Sequence, residues 1–286
     1  MSKTLINFVH ANGFPAGSYQ TLFDYLPSEY HVISHEKYGH DERYPVKDNW
    51  QPLVDELINF VKQQLAINKQ EQVISVGHSF GAVIAFIAAC QQPALFKGLI
   101  MLDPPVVTGI TALALKLAKK TQFIDKLSPA GKAKVRRTHW PLNTDVAKLF
   151  SSRKLFKNFD ERCLNHYVKH GIIKRNEQLE LFFSAQVEAD IFRNLADNLS
   201  SYKGKLKVPA TLIYADNTDV CPHRFFKKFI KLNPSIKLTT TSGGHMFPLE
   251  QPQKTANLIT GILNELLKDE NHNNEKHQKI DVDDSQ

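Results

Sequence analysis

The chain has 286 residues, of which 42% are hydrophobic and 23% charged, and its formal net charge is +7. This balance is ordinary for a globular protein with a full hydrophobic core, so we expect one large domain. No stretch reaches the roughly 18 apolar residues of a membrane-spanning helix, which excludes stable membrane insertion. The first apolar run, Leu5 to Val9, is too short for the core of a secretory signal, and the expected location is the cytoplasm.

Cysteine and histidine patterns argue against a metal. The three cysteines are odd in number and far apart, which fits neither a disulfide framework nor a zinc site. The twelve histidines form no cluster with metal-ligand spacing. We therefore assign no metal and no cofactor.

The positive charge is concentrated in residues 110–157, which carry twelve Lys and Arg against two Asp. Such a segment could attract acidic substrates, a membrane surface or nucleic acid through its long-range field. Lysines scattered on amphipathic helices are more often solvated faces, and we interpret them in that way. Because no base-stacking or groove-reading motif accompanies the charge, we expect no nucleic-acid partner. The oligomeric state is left open.

Residues 1–105 predict strands alternating with helices, the pattern of a parallel sheet covered on both faces. In chain order the expected elements are a strand at 5–10, a helix at 18–26, a strand at 30–35, a helix at 50–65, a strand at 72–76, a helix at 79–90 and a strand at 98–102. Residues 106–201 lose the alternation and show helical patterns without a convincing strand, which predicts a helical insertion in the core domain.

The alternation returns in residues 202–267, the second part of the core domain. The expected elements there are a strand at 210–214, a helix at 224–232, a strand at 236–240 and a helix at 253–267. Residues 268–286 are rich in Asp, Glu, Asn, His and Gln, and we predict a disordered polar tail. The fold class is α/β, with one mostly parallel sheet flanked by helices and interrupted once.

A serine stands at the turn between a buried strand and an apolar helix, in the motif Gly77-His78-Ser79-Phe80-Gly81. A serine at such a turn is held in a strained backbone conformation, and a Cβ at either glycine would collide with its surroundings. Its hydroxyl then projects above the sheet, beside the free N–H groups of a helix N-terminus. Ser79 is therefore the predicted nucleophile.

A serine nucleophile needs a general base, and His245 is the candidate. It lies in Ser242-Gly243-Gly244-His245, after the last predicted strand and before the last helix. From that position its imidazole could reach Ser79 across the edge of the sheet.

The acid that orients the imidazole should precede the histidine in the chain. Asp219 and Asp216 both follow the strand at 210–214, and Asp219 is preferred because it lies three residues before the proline that should open the next helix. Asp103, after the preceding strand, is the third candidate and would serve if the acid has migrated.

An oxyanion formed on the substrate needs two backbone donors. The N–H of Phe80, the residue after the nucleophile, is one expected donor. The second should come from the turn after the first strand, where Phe14 is preferred and Asn12 is the alternative. His10, in the same turn, is interpreted as a residue that hydrogen-bonds within the loop.

These motifs resemble the α/β-hydrolase superfamily over residues 4–267, with residues 106–201 similar to its cap domain. Residues 10–19, 39–46 and 49–50 look like a group of bacterial hydrolases with serine-esterase chemistry, whose substrates the resemblance does not specify. The sequence departs from the usual His-Gly pair of the oxyanion loop, because it reads His10-Ala11-Asn12-Gly13. Relatives with an aspartate nucleophile, such as epoxide hydrolases and dehalogenases, are disfavoured since Ser79 occupies that point.

The predicted function is that of a carboxylesterase-like serine hydrolase, which cleaves a small-molecule ester through an acyl-enzyme on Ser79. Two alternatives use the same residues: a carbon–carbon bond hydrolase and an acyl-CoA thioesterase. A third is a ligand-binding protein on this scaffold without catalytic activity.

Overall fold

The computed structural model describes the backbone of residues 3–283 and the side chains of residues 3–268. Its strands are β1 (Thr4–Val9), β2 (Tyr30–Ser34), β3 (Val73–His78), β4 (Phe96–Leu102), β5 (His139–Pro141), β6 (Ile172–Arg175), β7 (Gln178–Leu181), β8 (Ala210–Ala215) and β9 (Ile236–Thr241). Six of them form one sheet in the order β2-β1-β3-β4-β8-β9, and every neighbouring pair is parallel. The predicted alternation of strands and helices around a parallel sheet is confirmed.

Helices cover both faces of this sheet. In chain order, the α-helices of the described residues are α1 (Gln20–Asp24), α2 (Gln51–Asn68), α3 (Phe80–Gln91), α4 (Ile110–Ala118), α5 (Ile124–Leu127), α6 (Ala130–Lys134), α7 (Val146–Ser151), α8 (Glu161–Gly171), α9 (Ala185–Arg193), α10 (His223–Leu232), α11 (Phe247–Glu250) and α12 (Pro252–Asp283). Within residues 3–283, no helix combines the length and the apolar composition that crossing a bilayer requires.

The sequence pattern of each core helix matches its burial. Helix α3 is apolar on all sides because residues 80–89 are all buried between the sheet and its neighbours. Helix α2 buries only one stripe, which includes Leu53, Leu57 and Val61. Successive side chains of a strand point to opposite faces of the sheet. In β1, Leu5 therefore packs into the hydrophobic core on one face and Ile6 into the core on the other.

The segment between β4 and β8 differs from its prediction. Besides helices α4 to α9 it contains an antiparallel sheet in the order β5-β7-β6, so the expectation of a purely helical insertion is wrong. Strands β6 and β7 form a hairpin whose two turn residues, Asn176 and Glu177, both have positive φ, as a tight primed turn requires. The strands are only three or four residues long, and Glu177 occupies a position where such turns usually have glycine. The sequence therefore gives little indication of this hairpin.

The C-terminal helix also extends further than expected. Helix α12 continues to Asp283, through most of the segment 268–286 for which we predicted disorder. No glycine or proline interrupts residues 268–283, and several of these residues are good helix formers, which allows the helix to continue. Residues 284–286 lie outside the described residues.

One close backbone contact joins α3 to β1. A Cβ atom on Gly81 would overlap the carbonyl oxygen of Val9 and lie 2.5 Å from that of His10. A Cβ on Gly77 would lie 2.6 Å from the backbone nitrogen of Ala82. The two glycines therefore let the first turn of α3 sit directly against the end of β1.

This contact predicts a large difference between two Gly→Ala substitutions. We expect Gly81→Ala to lower the free energy of unfolding by about 1–3 kcal/mol or more, because backbone atoms have to move apart. The matched control is Gly261→Ala on α12, where a Cβ meets nothing within 4 Å and a gain of up to about 1 kcal/mol is expected. Urea unfolding of both variants checks this, and equal effects would contradict the contact.

Candidate functional site

Ser79 lies at the turn between β3 and α3 with φ 54° and ψ −121°, a conformation that costs a non-glycine residue about 1–3 kcal/mol. The turn is held in place by the Ser79 N–H, which donates to the carbonyl oxygen of Leu102 at 2.8 Å, and by its carbonyl, which accepts from the N–H of Ala82 at 3.0 Å. The side chain is partly exposed. The strained turn thus presents the hydroxyl at the carboxyl edge of the sheet, as predicted.

Ser79, His245 and Asp103 form a continuous hydrogen-bonded chain. The Nε2 atom of His245 lies 3.0 Å from the Oγ atom of Ser79, and its Nδ1 atom lies 2.6 Å from the Oδ2 atom of Asp103. Asp103 is completely buried and His245 is mostly buried. Since the carboxylate accepts the hydrogen bond of the Nδ1–H group, Nε2 carries no proton and is free to accept the hydroxyl proton of the serine.

The prediction that Asp219 orients the histidine is wrong, because Asp103, the third-ranked candidate, occupies that place. Asp219 is exposed in the loop after β8, whereas Asp103 directly follows β4 with φ 45°. The backbone N–H of Ala215 donates to Asp103 Oδ1 at 3.1 Å, and the hydroxyl of Thr218 donates to Oδ2 at 2.5 Å. Together with the imidazole, these donors compensate the carboxylate for its loss of water.

Asp216, the second candidate, is hydrogen-bonded to the loop that carries His245 and not to the imidazole itself. Its Oδ1 atom accepts the backbone N–H of Gly243 at 2.9 Å, and the N–H of Asn217 donates to the carbonyl of Gly243 at 3.1 Å. These bonds join the loops after β8 and β9, and so help to fix the position of His245. Thr218 was not singled out from the sequence, and its place between Asp216 and Asp219 is the only signal that could have indicated it.

The structure of the turn after β1 argues against Phe14, the preferred second oxyanion donor. The N–H of Phe14 already donates to the carbonyl of Ala11 at 3.1 Å within the turn, so it is not available to a substrate. The backbone of Asn12 is then the remaining candidate. Phe80 is the first residue of α3, where backbone N–H groups have no acceptor within the helix. His10 bonds locally, as interpreted, through Nδ1 to the carbonyl of Ala11 at 2.8 Å.

A buried histidine links the two loops that flank Ser79. Burial holds the pKa of His78 well below its usual value, so the ring is neutral and has one donor and one acceptor nitrogen. Its Nε2 atom lies 3.0 Å from the carbonyl oxygen of His245 and donates to it, so Nδ1 accepts the hydroxyl of Tyr19 at 2.7 Å. That hydroxyl accepts the N–H of Ala11 at 3.3 Å. The loop after β1 is thus tied to the loop that carries His245.

A buried ion pair covers the turn after β1. Arg136 bonds to the carboxylate of Glu188, and its guanidinium also donates to the Tyr167 hydroxyl at 3.2 Å. The Asn12 side chain donates to the Glu188 carbonyl at 3.0 Å, and a Cβ on Gly13 would lie 3.0 Å from Oε1 of the carboxylate. Burial raises the pKa of Glu188, and Arg136 opposes that rise. Arg136 thus neutralises the carboxylate charge beside the turn that contains Asn12, the remaining candidate for the second oxyanion donor.

The chain is similar to known proteins in sequence and in fold. A model of the alpha/beta hydrolase family matches residues 8–258. The chain is 31% identical to the monoglyceride lipase homolog of Monkeypox virus over 252 residues, which cover 85% of this chain and 82% of the relative. It is 29% identical to the monoglyceride lipase of Rattus norvegicus over 130 residues, 43% of each protein. The peroxisomal alpha-beta-hydrolase Lpx1 of Saccharomyces cerevisiae has a TM-score of 0.76 at 17% identity, over 93% of this chain and 78% of that one.

Replacing each carboxylate separately distinguishes Asp103 from Asp219. Asp103→Asn should slow fluorophosphonate labelling of Ser79 by about 10²–10⁴-fold, the contribution of a correctly oriented base. Asp219→Asn, the matched control, should label at the unsubstituted rate because its side chain is exposed and the Nδ1 atom of His245 is bonded to Asp103 instead. Labelling rates followed by gel fluorescence check this, and a slow Asp219→Asn variant beside a normal Asp103→Asn variant would reverse the assignment.

Removing Arg136 should leave a buried charge without its partner. We expect Arg136→Met to lower the free energy of unfolding by about 3–5 kcal/mol near neutral pH, and Arg136→Met/Glu188→Met to recover most of it. Burial raises the pKa of Glu188, so in the single variant this carboxyl takes up a proton as the pH falls, and the deficit should shrink in acid. Urea unfolding at several pH values measures both effects. A deficit independent of pH would show that lost packing is responsible.

Proposed function

The chain belongs to the alpha/beta hydrolase family, and from that membership we propose that it hydrolyses carboxylic esters through an acyl-enzyme on Ser79. The observation that carries the proposal is the hydrogen-bonded chain of Ser79, His245 and Asp103, with contacts of 3.0 and 2.6 Å. A serine, an imidazole and a buried carboxylate bonded in this order form the arrangement that activates a serine for nucleophilic catalysis. Two of the relatives, one named a monoglyceride lipase homolog and the other a monoglyceride lipase, support an ester as the substrate.

In the first half of the reaction, Ser79 Oγ attacks the ester carbonyl while His245 Nε2 takes the hydroxyl proton. The carbonyl oxygen becomes an oxyanion, for which we propose the N–H groups of Phe80 and Asn12 as donors. The bond to the alcohol then breaks, and His245 returns its proton to the leaving oxygen. The products of this half are a free alcohol and an ester of Ser79.

In the second half, His245 takes a proton from water, and the resulting hydroxide attacks the acyl-enzyme. The bond between the acyl carbon and Ser79 Oγ breaks, and the proton passes from His245 to Oγ. The carboxylic acid leaves and the serine is restored. Asp103 keeps its charge throughout, because its role is to hold the imidazole in one tautomer and to stabilise the imidazolium form.

A monoacylglycerol is the substrate we propose to try first, because two of the relatives are named for it. The insertion between β4 and β8 is proposed as a cap that shapes the acyl-binding side of the site. The acyl-CoA thioesterase alternative predicts a preference for acyl-CoA over the glycerol ester of the same acyl chain. Purified protein offered both substrates decides between these two.

The proposal predicts the effect of removing one oxygen atom. Ser79→Ala should reduce hydrolysis of p-nitrophenyl acetate and of a monoacylglycerol by at least about 10⁴-fold, since no covalent intermediate can form. Circular dichroism and urea unfolding check that the variant retains its fold. Undiminished turnover by folded Ser79→Ala would refute the proposal, and failure of Ser79 in the native chain to react with a fluorophosphonate would favour a binding protein without catalytic activity.

A further inference from the structure

Large apolar side chains are exposed mainly in one part of the chain. Among the described residues, nine such side chains are well exposed, and all but Ile67 lie between residues 110 and 155. The eight are Ile110, Leu113, Leu117, Phe123, Leu127, Val135, Leu142 and Leu155. Scattered single exposures are normal on a protein surface, but a concentration of this kind marks an interaction site.

Helix α4 carries an exposed apolar stripe. Ile110, Leu113 and Leu117 are spaced by three and four residues and so share one face of the helix, where Ile110 is 88% exposed. The opposite face is fixed to the protein. Ala112 is buried, and Lys119, just after the helix, forms ion pairs with both Asp48 and Asp197. The apolar face therefore points outward from an anchored helix.

A second apolar ridge follows, from the residue before α5 to the last residue of that helix. Phe123 and Leu127 are four residues apart, and Leu127 is 71% exposed. Between them, Ile124 is buried and Asp125 accepts two bonds from Arg193 of α9, at 2.7 and 2.8 Å. This turn too is fixed on its inner side while its apolar residues face solvent.

The surface around both ridges is positively charged. We define the docking face as residues 110–137, whose only acidic residue, Asp125, is paired with Arg193. Its exposed cations are Lys116, Lys120, Lys126, Lys132, Lys134 and Arg137. Lys116 and Lys120 lie one turn apart, next to Leu113 and Leu117 on α4. An apolar stripe bordered by lysines is the pattern of helices that lie in a membrane interface.

We propose that the docking face binds the surface of an anionic lipid bilayer, with the apolar ridges in the interface and the lysines on the headgroups. Charge selects this partner over a second copy of the chain, because two copies joined by this face would bring like charges together. The binding is peripheral and involves no spanning segment.

The docking face is connected to the proposed active site. Helix α6, within the face, packs against α9. Helix α9 carries Glu188, whose carboxylate lies beside Gly13 in the turn after β1. Resting on the function proposed for Ser79, the geometry implies that a bilayer-borne ester of an amphiphilic lipid is the favoured substrate, because docking places the site next to the membrane.

Vesicle co-sedimentation tests the docking face without any need for catalysis. The protein is Ser79→Ala, and the probes are phosphatidylcholine vesicles with and without phosphatidylglycerol. We expect binding to the anionic vesicles to be at least about tenfold tighter and to weaken in high salt. Leu113→Ser/Leu117→Ser and Lys116→Glu/Lys120→Glu should each lose about tenfold or more. The matched controls, Ile67→Ser and Lys62→Glu on α2, should bind as the parent does.

Three results would overturn the docking face: no binding to anionic vesicles, equal binding by the docking-face variants and the parent, or a parent dimer that Leu113→Ser/Leu117→Ser converts to monomer on size-exclusion chromatography. The last result would assign the face to a second copy of the chain.

Activity tests the substrate part separately, in the chain with Ser79 intact. Leu113→Ser/Leu117→Ser should hydrolyse soluble p-nitrophenyl acetate at the normal rate but a monoacylglycerol in anionic vesicles about tenfold more slowly. An equal loss on both substrates, or no loss on either, would overturn delivery from the bilayer. Vesicle binding is measured with Ser79→Ala and does not depend on catalysis. The test of the docking face therefore remains valid even if the protein does not have the proposed hydrolase activity.

Discussion

The site depends on one backbone contact, the approach of Gly81 to the last residues of β1. It brings the first turn of α3, the strained Ser79 and the loop after β1 within a few ångströms of one another. No side chain could mediate so close an approach, since even a Cβ would overlap the Val9 carbonyl. The geometry of the turn at Ser79 is therefore a property of the sheet and of α3, whose residues 80–89 are all buried.

Around this contact, the side chains of the site lie at the carboxyl ends of three strands of the sheet. Ser79 follows β3, Asp103 follows β4, and His245 lies in the loop after β9. Asp216 bonds to the loop that carries His245, and His78 bonds to the carbonyl oxygen of His245. These bonds fix the position of that loop relative to the ends of β3 and β8. A parallel sheet gathers the carboxyl ends of its strands at one edge, and this explains why residues 166 positions apart in the chain can be hydrogen-bonded to each other.

Local signals predicted the parts of the site that local geometry determines. The turn at Ser79 needs glycines on either side, and His245 has a fixed place after the last strand, so both could be read from residue order. The carboxylate that orients His245 could not be identified from residue order, because Asp103 and Asp219 both follow strands that end at the same edge of the sheet. The choice depends on a positive φ at Asp103 and on donors from Ala215 and Thr218, which belong to a different strand and its loop. Phe14 failed for a similar reason, since its N–H is used inside the turn.

The position of the long insertion has a consequence for how this scaffold can diversify. It forms the crossover between two adjacent strands of the sheet, β4 and β8, and leaves the core just after Asp103. Each doubling of the length of such a connection adds only about 0.6 kcal/mol of closure entropy. The insertion can therefore be lengthened, shortened or rebuilt while the sheet and the strand ends that carry Ser79, Asp103 and His245 stay intact. If the insertion is the proposed cap, the range of molecules admitted can change independently of the proposed chemistry.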